Sequence, residues 1–310
     1  MNEFELIARL TPGLPGNESV VEGAGDDCAL LDLGAPGRWV LFKTDAVVEG
    51  VHFLPGTAGK LVGRKALARC LSDIAANAGN PVAALVTLGL PANYDPEYVV
   101  AIYDGLGALA REFKVAVVGG ETTRNPGGLF LSISVVGTVE KNRCPLRSGA
   151  KPGDAIFVTG DLGGSIDGKH LEFVPRLEEA RWLAANFPVR SMIDLSDGLA
   201  GDLRHILNAS GVGAELLAKA VPVSRAARLR TRANLTEKTP LLAALTDGED
   251  FELLLTVPSA SAVPLLDAWK AQFPGTRLSC VGKITSEPGL RLREAHEVKP
   301  LHAHGHVHFE

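Results

Sequence analysis

The residues of this chain best suited to chemistry are carboxylates. Asp26 and Asp27 stand side by side in GAGDDCALL (residues 23–31), after small residues and ahead of an apolar run. Adjacent like charges are costly unless a cation lies between them. More acids sit where apolar segments meet Gly or a hydroxyl: Thr44 and Asp45 in KTDAVVEGVHF, Asp73 in LSDIAANAG, and Glu121 in GGETT. Asp194, Asp197 and Asp202 share MIDLSDGLAGDL, and Asp247, Glu249, Asp250 and Glu252 share LTDGEDFELL. Singly, such an acid is an ordinary helix cap or Asx turn, and Asp194 or Ser196 could cap a helix starting at Leu199. Asp73 fits that reading less well, because it interrupts an apolar helical face where an unpaired carboxylate is costly. Together, oxygen donors without His or Cys companions suit hard cations such as Mg²⁺. So many carboxylates need several ions, or ions shared with a polyphosphate, and that points to phosphoryl transfer. Neither a G-x-x-x-x-G-K-[ST] loop nor a kinase G-x-G-x-x-G-x-V loop is present.

Hydrophobic periodicity supplies the elements that must position these groups. A short helix is expected over residues 2–10, then strands at 28–33 and 38–44, with Thr44 and Asp45 at a strand end. A helix over 62–79 follows, with Gly79 as a candidate C-cap. Next come a strand (VAALVTLGL) and a helix opened by Asp95 and Pro96. KVAVVGGETT is expected to be a strand running into a loop, and LFLSISVVGTVE a strand. Residues 146–164 are turn-rich and look like a domain junction. Beyond them IFVTG is a strand, LSDGLAGDLRHILNASG a helix with its own terminal Gly, DFELLLTV a strand, AVPLLDAWKAQF a helix and LSCVGKI a final strand. The division is 1–145 and 146–310, an α+β pattern followed by a second unit.

Composition narrows the function classes. The 310 residues carry a net charge of −5, which gives no basic surface for nucleic acid. No apolar run reaches the roughly 18 residues of a membrane span, and the acidic N-terminus does not read as a signal peptide. The four scattered cysteines form no C-x-x-C pair and read as reduced residues of a cytoplasmic protein.

GDDCALL, TDAVVEGVHF, LSDIAANAGNP, GGETT, LRSGAKPGDAIFVTG, MIDLSDGLAGDLRHI, SGVGAE and DGEDFELL occur in this order. On these motifs the chain resembles the thiamine-monophosphate kinases of the aminoimidazole ribonucleotide synthetase superfamily, over nearly its whole length. The resemblance implies an α+β N-terminal domain, with a mixed sheet that dimerises, followed by an α/β C-terminal domain. It implies a cytoplasmic homodimer that binds ATP in a cleft with several Mg²⁺ ions. The implied reaction phosphorylates thiamine monophosphate to thiamine diphosphate. Carried over by position, the metal ligands are Asp26, Thr44, Asp45, Asp73, Glu121, Asp194 and Asp197. Nucleotide contacts fall at Tyr103, Gly120, Glu121, Arg147 and Ser196, and substrate contacts at His52, Glu249 and His306. In this picture Asp26 holds Mg²⁺, and Asp27 supports it or caps the turn.

No general base is expected. The acceptor phosphate has a second pKa of about 6 and is already mostly dianionic at neutral pH. Positioning and charge neutralisation then suffice. Arg147, just before a Gly-rich turn, suits a phosphate contact.

The sequence departs from the family pattern at Glu121 (usually Asp), Asn77 (usually Met), Asp247 (usually Gly) and His306 (an aromatic position). At Lys43, usually a small hydroxyl residue, a cation could replace a metal, touch a phosphate, or simply mark a surface strand end. The tail PLHAHGHVHFE alternates His302, His304, His306 and His308, which would share one face of a strand and suit Zn²⁺ or Ni²⁺. A polar edge strand or frayed terminus is the plainer account. The alternatives are another phosphotransferase of the superfamily, with a different phosphorylated acceptor, or a non-catalytic ATP- and metal-binding partner protein. A selenophosphate synthetase would want a reactive Cys within residues 1–25, and a hydrogenase-maturation member a C-terminal Cys; neither is present.

Overall fold

The computed structural model describes residues 3–303 and 305. The chain forms two compact units, one of residues 19–144 and 168–177, the other of residues 1–18, 145–167 and 178–310.

The first unit contains β1 (Val20–Glu22), β2 (Ala29–Leu31), β3 (Arg38–Val48), α2 (Gly59–Ala76), β4 (Asn80–Leu90), α3 (Pro96–Glu112), β5 (Ala116–Arg124), β6 (Phe130–Glu140) and α4 (Lys169–Glu172); α1 (Glu3–Leu10) precedes them in the chain. The sheet order is β1-β2-β3-β6-β4-β5, with only β4 and β5 parallel. Helix α2 covers one face of this sheet and packs on α3. Asp95 caps α3, accepting from Glu97 N at 3.0 Å ahead of Pro96.

Three expectations about this unit change. Strand β3 does not end near Thr44: Val47 and Val48 continue the ladder, opposite Leu131 and Phe130, because β-branched residues suit the pleat and Val47 is buried. GGETT is not a loop, since Gly120 and Glu121 pair with Val86 and Thr87 in the edge strand β5. Gly79 does not cap α2. The cap is Asn77, Ala78 takes the left-handed turn (φ 53°), and Gly79 N reaches back to Ile74 O at 2.8 Å. Gly79 serves packing instead, because a Cβ there would lie 2.3 Å from Leu41 Cδ1.

The second unit holds α1, β7 (Ala155–Thr159), α5 (Leu177–Asn186), β8 (Ser191–Asp194), α6 (Leu199–Ser210), β9 (Gly213–Leu217), α7 (Arg225–Arg232), α8 (Pro240–Thr246), β10 (Leu253–Val257), α9 (Ala262–Gln272), β11 (Leu278–Thr285), β12 (Gly289–Glu294) and β13 (Glu297–Pro300). Its sheet runs β13-β12-β9-β11-β7-β10-β8 and is mixed, with β12 and β9 parallel. LSCVGKI is therefore not the final strand. The short runs in β12 and β13 alternate weakly, and pairing with the sheet decides their state. Inward side chains of β7, β8 and β10 pack on Leu199, Leu203 and Ile206 of α6 to make the core. Gly211, at φ 65°, closes α6 as expected.

The seat of α2 on α3 depends on two glycines. A Cβ on Gly63 would meet Ile102 O at 1.8 Å, and one on Gly105 would meet Lys60 O at 1.9 Å. No rotamer relieves a clash with backbone. Gly105→Ala is expected to lower the unfolding free energy by about 3 kcal/mol, measured by urea denaturation. A change below about 0.5 kcal/mol would show that the two helices can separate freely.

Candidate active site: two clusters of carboxylates

In the first unit the carboxylates gather between β3 and α2. Strand β3 alternates faces, so Leu41, Lys43, Asp45 and Val47 point toward α2, while Phe42, Thr44 and Val48 point away. Helix α2 answers with a polar stripe at four-residue spacing: Lys65, Arg69, Asp73 and Asn77. Each member has a partner. Lys65 Nζ donates to His52 O at 2.5 Å, and Arg69 Nη1 donates to Ala46 O at 3.0 Å. Arg69 Nε also lies 3.8 Å from Asp45 Oδ2. Asp73 Oδ1 meets Lys43 Nζ at 2.7 Å, and Asp45 Oδ1 is 3.9 Å from the same ammonium. Asn77 Nδ2 donates to Asp26 Oδ1 at 2.9 Å, and Asn77 Oδ1 accepts from Cys28 N at 3.2 Å.

The stripe settles several expectations. Asp73 is 6% exposed in the last turn of α2, and Lys43 answers its charge. Burial alone would lower the Lys43 pKa, but Asp73, Asp45 and Asp27 outweigh it and raise it well above the usual lysine value. Lys43 is therefore not a surface strand end. Within the doublet, Asp27 is the buried member, with an oxygen within 4.8 Å of Asp73. Asp26 is half-buried, accepting from Asn77 and from Asp27 N at 3.0 Å. Asp27, rather than Asp26, thus turns into the cluster. The hydroxyl of Thr44 faces away from Asp45, meeting Ser132 and Ser134 at 3.3 and 3.2 Å. Along the sheet Asp45, Ile133, Val86 and Gly120 are in register, so Glu121 lies three strand spacings from β3, about 14 Å. The fold does not bring Thr44 Oγ1 or Glu121 into this cluster. Gly120 permits a close strand approach, because its Cβ would sit 1.8 Å from Val86 O. Tyr103 stands on α3, 40% exposed. His52 accepts from Val48 N at its Nδ1 (3.1 Å), which leaves the proton on Nε2.

In the second unit, β8 ends at Asp194 and a short loop leads to α6. Neither Asp194 nor Ser196 caps that helix. Gly198 is the cap residue and has no capping side chain, so Asp202 reaches back and accepts from Asp197 N and Gly198 N, both at 3.1 Å. Asp197, Asp202 and His205 each offer a ligand atom within 4.8 Å of the others. Burial raises the Asp202 pKa well above the carboxylate range, Asp197 and Asp194 add to it, and the Asp197 amide and Arg147 oppose it. Burial, then Arg147, lowers His205 to about 4, while Glu3 works against the shift. Asp202 was visible in the sequence as an acid but did not enter the expected ligand set, and His205 was missed. Their i, i+3 spacing on one helix face is the signal that joins them.

The remaining acids mostly hold backbone. Asp250 accepts twice from Gly163 N, at 3.0 and 2.9 Å, and once from Ser165 Oγ. Asp247 accepts from Gly164 N (3.0 Å) and Lys238 Nζ (2.8 Å). Glu252 accepts from Thr159 Oγ1 at 2.7 Å. Asp247 is therefore a loop tether. Glu249 is different: at φ 53° its amide donates to Ser196 O at 2.6 Å, which fixes it beside the Ser196–Asp197 loop. The segment leading to the tail is clamped too, since Arg204 Nη1 donates to Ala303 O at 2.7 Å and its Nη2 to Leu301 O. His304, His306 and His308 lie outside the described residues.

The N-terminal domain of the AIR synthase related proteins matches residues 25–139 and the C-terminal domain matches residues 151–294. The thiamine-monophosphate kinase of Rhodopirellula baltica is 39% identical over 300 residues, covering 94% of this chain and 92% of that protein. That of Bacillus subtilis is 32% identical over 336 residues, covering 100% of both. The solved structure of AaThiL complexed with AMPPCP and TMP superposes with a TM-score of 0.83 at 28% identity, covering 99% of this chain and 97% of that one. A HypE–HypF complex, at 18% identity and TM-score 0.76, shares the fold.

The lowered His205 pKa has a consequence for stability. The folded chain keeps this imidazole neutral down to about pH 4, whereas the unfolded chain takes a proton near pH 6.5. Between those values the unfolded state binds more protons, so stability falls as pH falls, by up to about 1.4 kcal/mol per pH unit. In urea titrations with EDTA, His205→Gln is expected to lose less stability than wild type between pH 7 and pH 5. Parallel losses would place the imidazole in solvent.

Proposed function

The chain belongs to the thiamine-monophosphate kinases of the AIR synthase related family, and from that premise we propose how its residues carry out the reaction. It phosphorylates thiamine monophosphate at the expense of ATP, giving thiamine diphosphate and ADP. What carries the mechanistic reading is the donor set. Asp27, Asp45 and Asp73 crowd one cluster, and Asp197 and Asp202 crowd the other beside Asp194. Hard oxygen donors packed this closely fit Mg²⁺, and a further cation would relieve their repulsion.

In this reading Asp27, Asp45 and Asp73 are Mg²⁺ ligands from the N-terminal domain, taken as residues 1–145, with Asp26 bracing Asp27. Asp194 and Asp197 are ligands from the C-terminal domain, residues 146–310, with Asp202 orienting the loop between them. Bound Mg²⁺ would neutralise charge on the phosphates of the nucleotide. Tyr103, Gly120, Glu121, Arg147 and Ser196 serve ATP, and His52 and Glu249 serve the acceptor. His306 keeps its acceptor role as a proposal from sequence alone.

An oxygen of the acceptor phosphate attacks the γ-phosphorus as the bond to the β–γ bridging oxygen breaks and ADP leaves. The acceptor phosphate is mostly dianionic at pH 7, so no side chain has to remove a proton. Arg147 supplies a permanent positive charge suited to a phosphate oxygen.

We also propose a cytoplasmic homodimer. Among the described residues no helix is long and apolar enough to cross a membrane. The face of the first sheet opposite α2 exposes Phe42, Val48, Val82, Leu85, Val118 and Val136. The open apolar surface is thus a face of the sheet, and a second copy would cover it.

Chromatography of a reaction with ATP, Mg²⁺ and thiamine monophosphate is expected to yield thiamine diphosphate. EDTA should abolish it. Asp45→Asn should lower turnover by about 100-fold or more with an unchanged circular dichroism spectrum, and near-normal turnover would remove Asp45 from the site. Light scattering is expected to give twice the 32.6 kDa chain mass, and Val118→Asp should halve it. A wild-type monomer at micromolar concentration would refute the dimer.

A further inference from the structure

We infer that the Lys43 ammonium is a built-in cation of the first cluster, occupying a position at Asp73 and Asp45 that a divalent ion would otherwise take. The inference rests on the Mg²⁺ reading above and deepens it. Lys43 stands on the inner face of β3, in register with Leu41 and Val47, so the pleat itself aims the side chain at α2. Its Nζ is 2.7 Å from Asp73 Oδ1 and 3.9 Å from Asp45 Oδ1. Only 21% of the side chain is exposed, so the charge is not held in bulk water.

The surroundings leave it little other work. Asp73 lies in the last turn of α2 and is 6% exposed, where a carboxylate without a counter-charge would be strongly destabilising. Arg69, one turn earlier on α2, approaches the other oxygen of Asp45 at 3.8 Å. The two cations therefore approach different oxygens of Asp45, and Lys43 is a counter-ion to Asp73 as well. An ammonium at hydrogen-bond distance from a carboxylate oxygen repels a divalent ion placed against that same oxygen, which disfavours metal there. The cluster can thus fold with no divalent ion, and it takes up fewer of them when nucleotide arrives.

The test counts metal. Mn²⁺ binding to the full-length protein is titrated by electron paramagnetic resonance with AMPPCP present, for wild type, Lys43→Ser, Lys43→Met and Lys43→Arg. Circular dichroism checks folding, and Met keeps the stem length should Ser fail to fold. The neutral variants are expected to bind one more Mn²⁺ per chain than wild type, and Arg the same number as wild type. Without divalent ions the neutral variants should melt lower than wild type, and Mn²⁺ should raise their melting temperature more. Equal counts in all four proteins would overturn the inference while leaving the Mg²⁺ reading in place. Weaker AMPPCP binding at an unchanged count would also overturn it, by making Lys43 a phosphate contact. Absence of Mn²⁺ binding to wild type would defeat the Mg²⁺ reading itself.

Discussion

The first unit depends on burying a line of polar groups under a sheet. Lys65, Arg69, Asp73 and Asn77 recur every four residues along α2, so they rise about 6 Å per step on one face. Lys65 and Asn77 are fully buried and Asp73 nearly so. Leaving such groups unsatisfied would cost more than the helix gains from packing. Each partner therefore has a required place: the His52 carbonyl, the Ala46 carbonyl, the Lys43 ammonium, and the Asp26 carboxylate with the Cys28 amide. These partners lie on β3 and on the segments flanking β2 and β3. The stripe therefore registers helix against sheet, and the same contacts hold Asp27, Asp45 and Asp73 together.

The second unit answers the same problem with backbone amides. Asp202 takes two amides at the start of α6, and Asp250 takes the Gly163 amide. An amide carries only a partial charge, so it satisfies hydrogen bonding without cancelling the carboxylate. Burial, with Asp197 and Asp194 close by, therefore outweighs the amide and Arg147 and leaves Asp202 protonated more readily than an ordinary aspartate. The two units thus differ electrostatically. Lys43 and Arg69 stand against the first cluster, while in the second Asp202 is held by amides with Asp194, Asp197 and Arg147 nearby.

Much of this was legible in the sequence, for physical reasons that differ by residue. The acids, the Asp95 cap, the Gly211 stop and the two-unit order were readable because local chemistry decides them. The facing of Thr44 was not. It follows from how far β3 extends, and the partner strand β6 sets that length. The exchange between Asp26 and Asp27 depends on Asn77, forty-nine residues beyond Cys28, whose amide pins the doublet. Asp247 and Asp250 looked like ligands because a tether and a ligand share the same sequence signature, an acid beside glycine. Only the contacts with Gly163 and Gly164 separate the two. The stripe on α2 is present in the four-residue period, but three of its members are not acids, so carboxylates alone do not reveal it.

The chemistry sets what this arrangement has to provide. Joining two phosphates brings together groups that are both strongly negative, and a site lined with carboxylates adds to that repulsion. The lining is useful only if it gathers more positive charge than it contributes, which divalent ions do and monovalent side chains do less well. A lysine inside such a lining therefore shifts the balance: it steadies the empty protein and lowers the number of ions the phosphates can recruit. With Lys43 on one oxygen of Asp73, the charge that Asp73 offers to metal is reduced. Asp45 must divide its two oxygens between Arg69 and Lys43 before any ion arrives. Asp27, buried beside Asp73 and pinned through its neighbour by Asn77, is held in place before any ion arrives, and metal geometry in the first cluster depends on that placement.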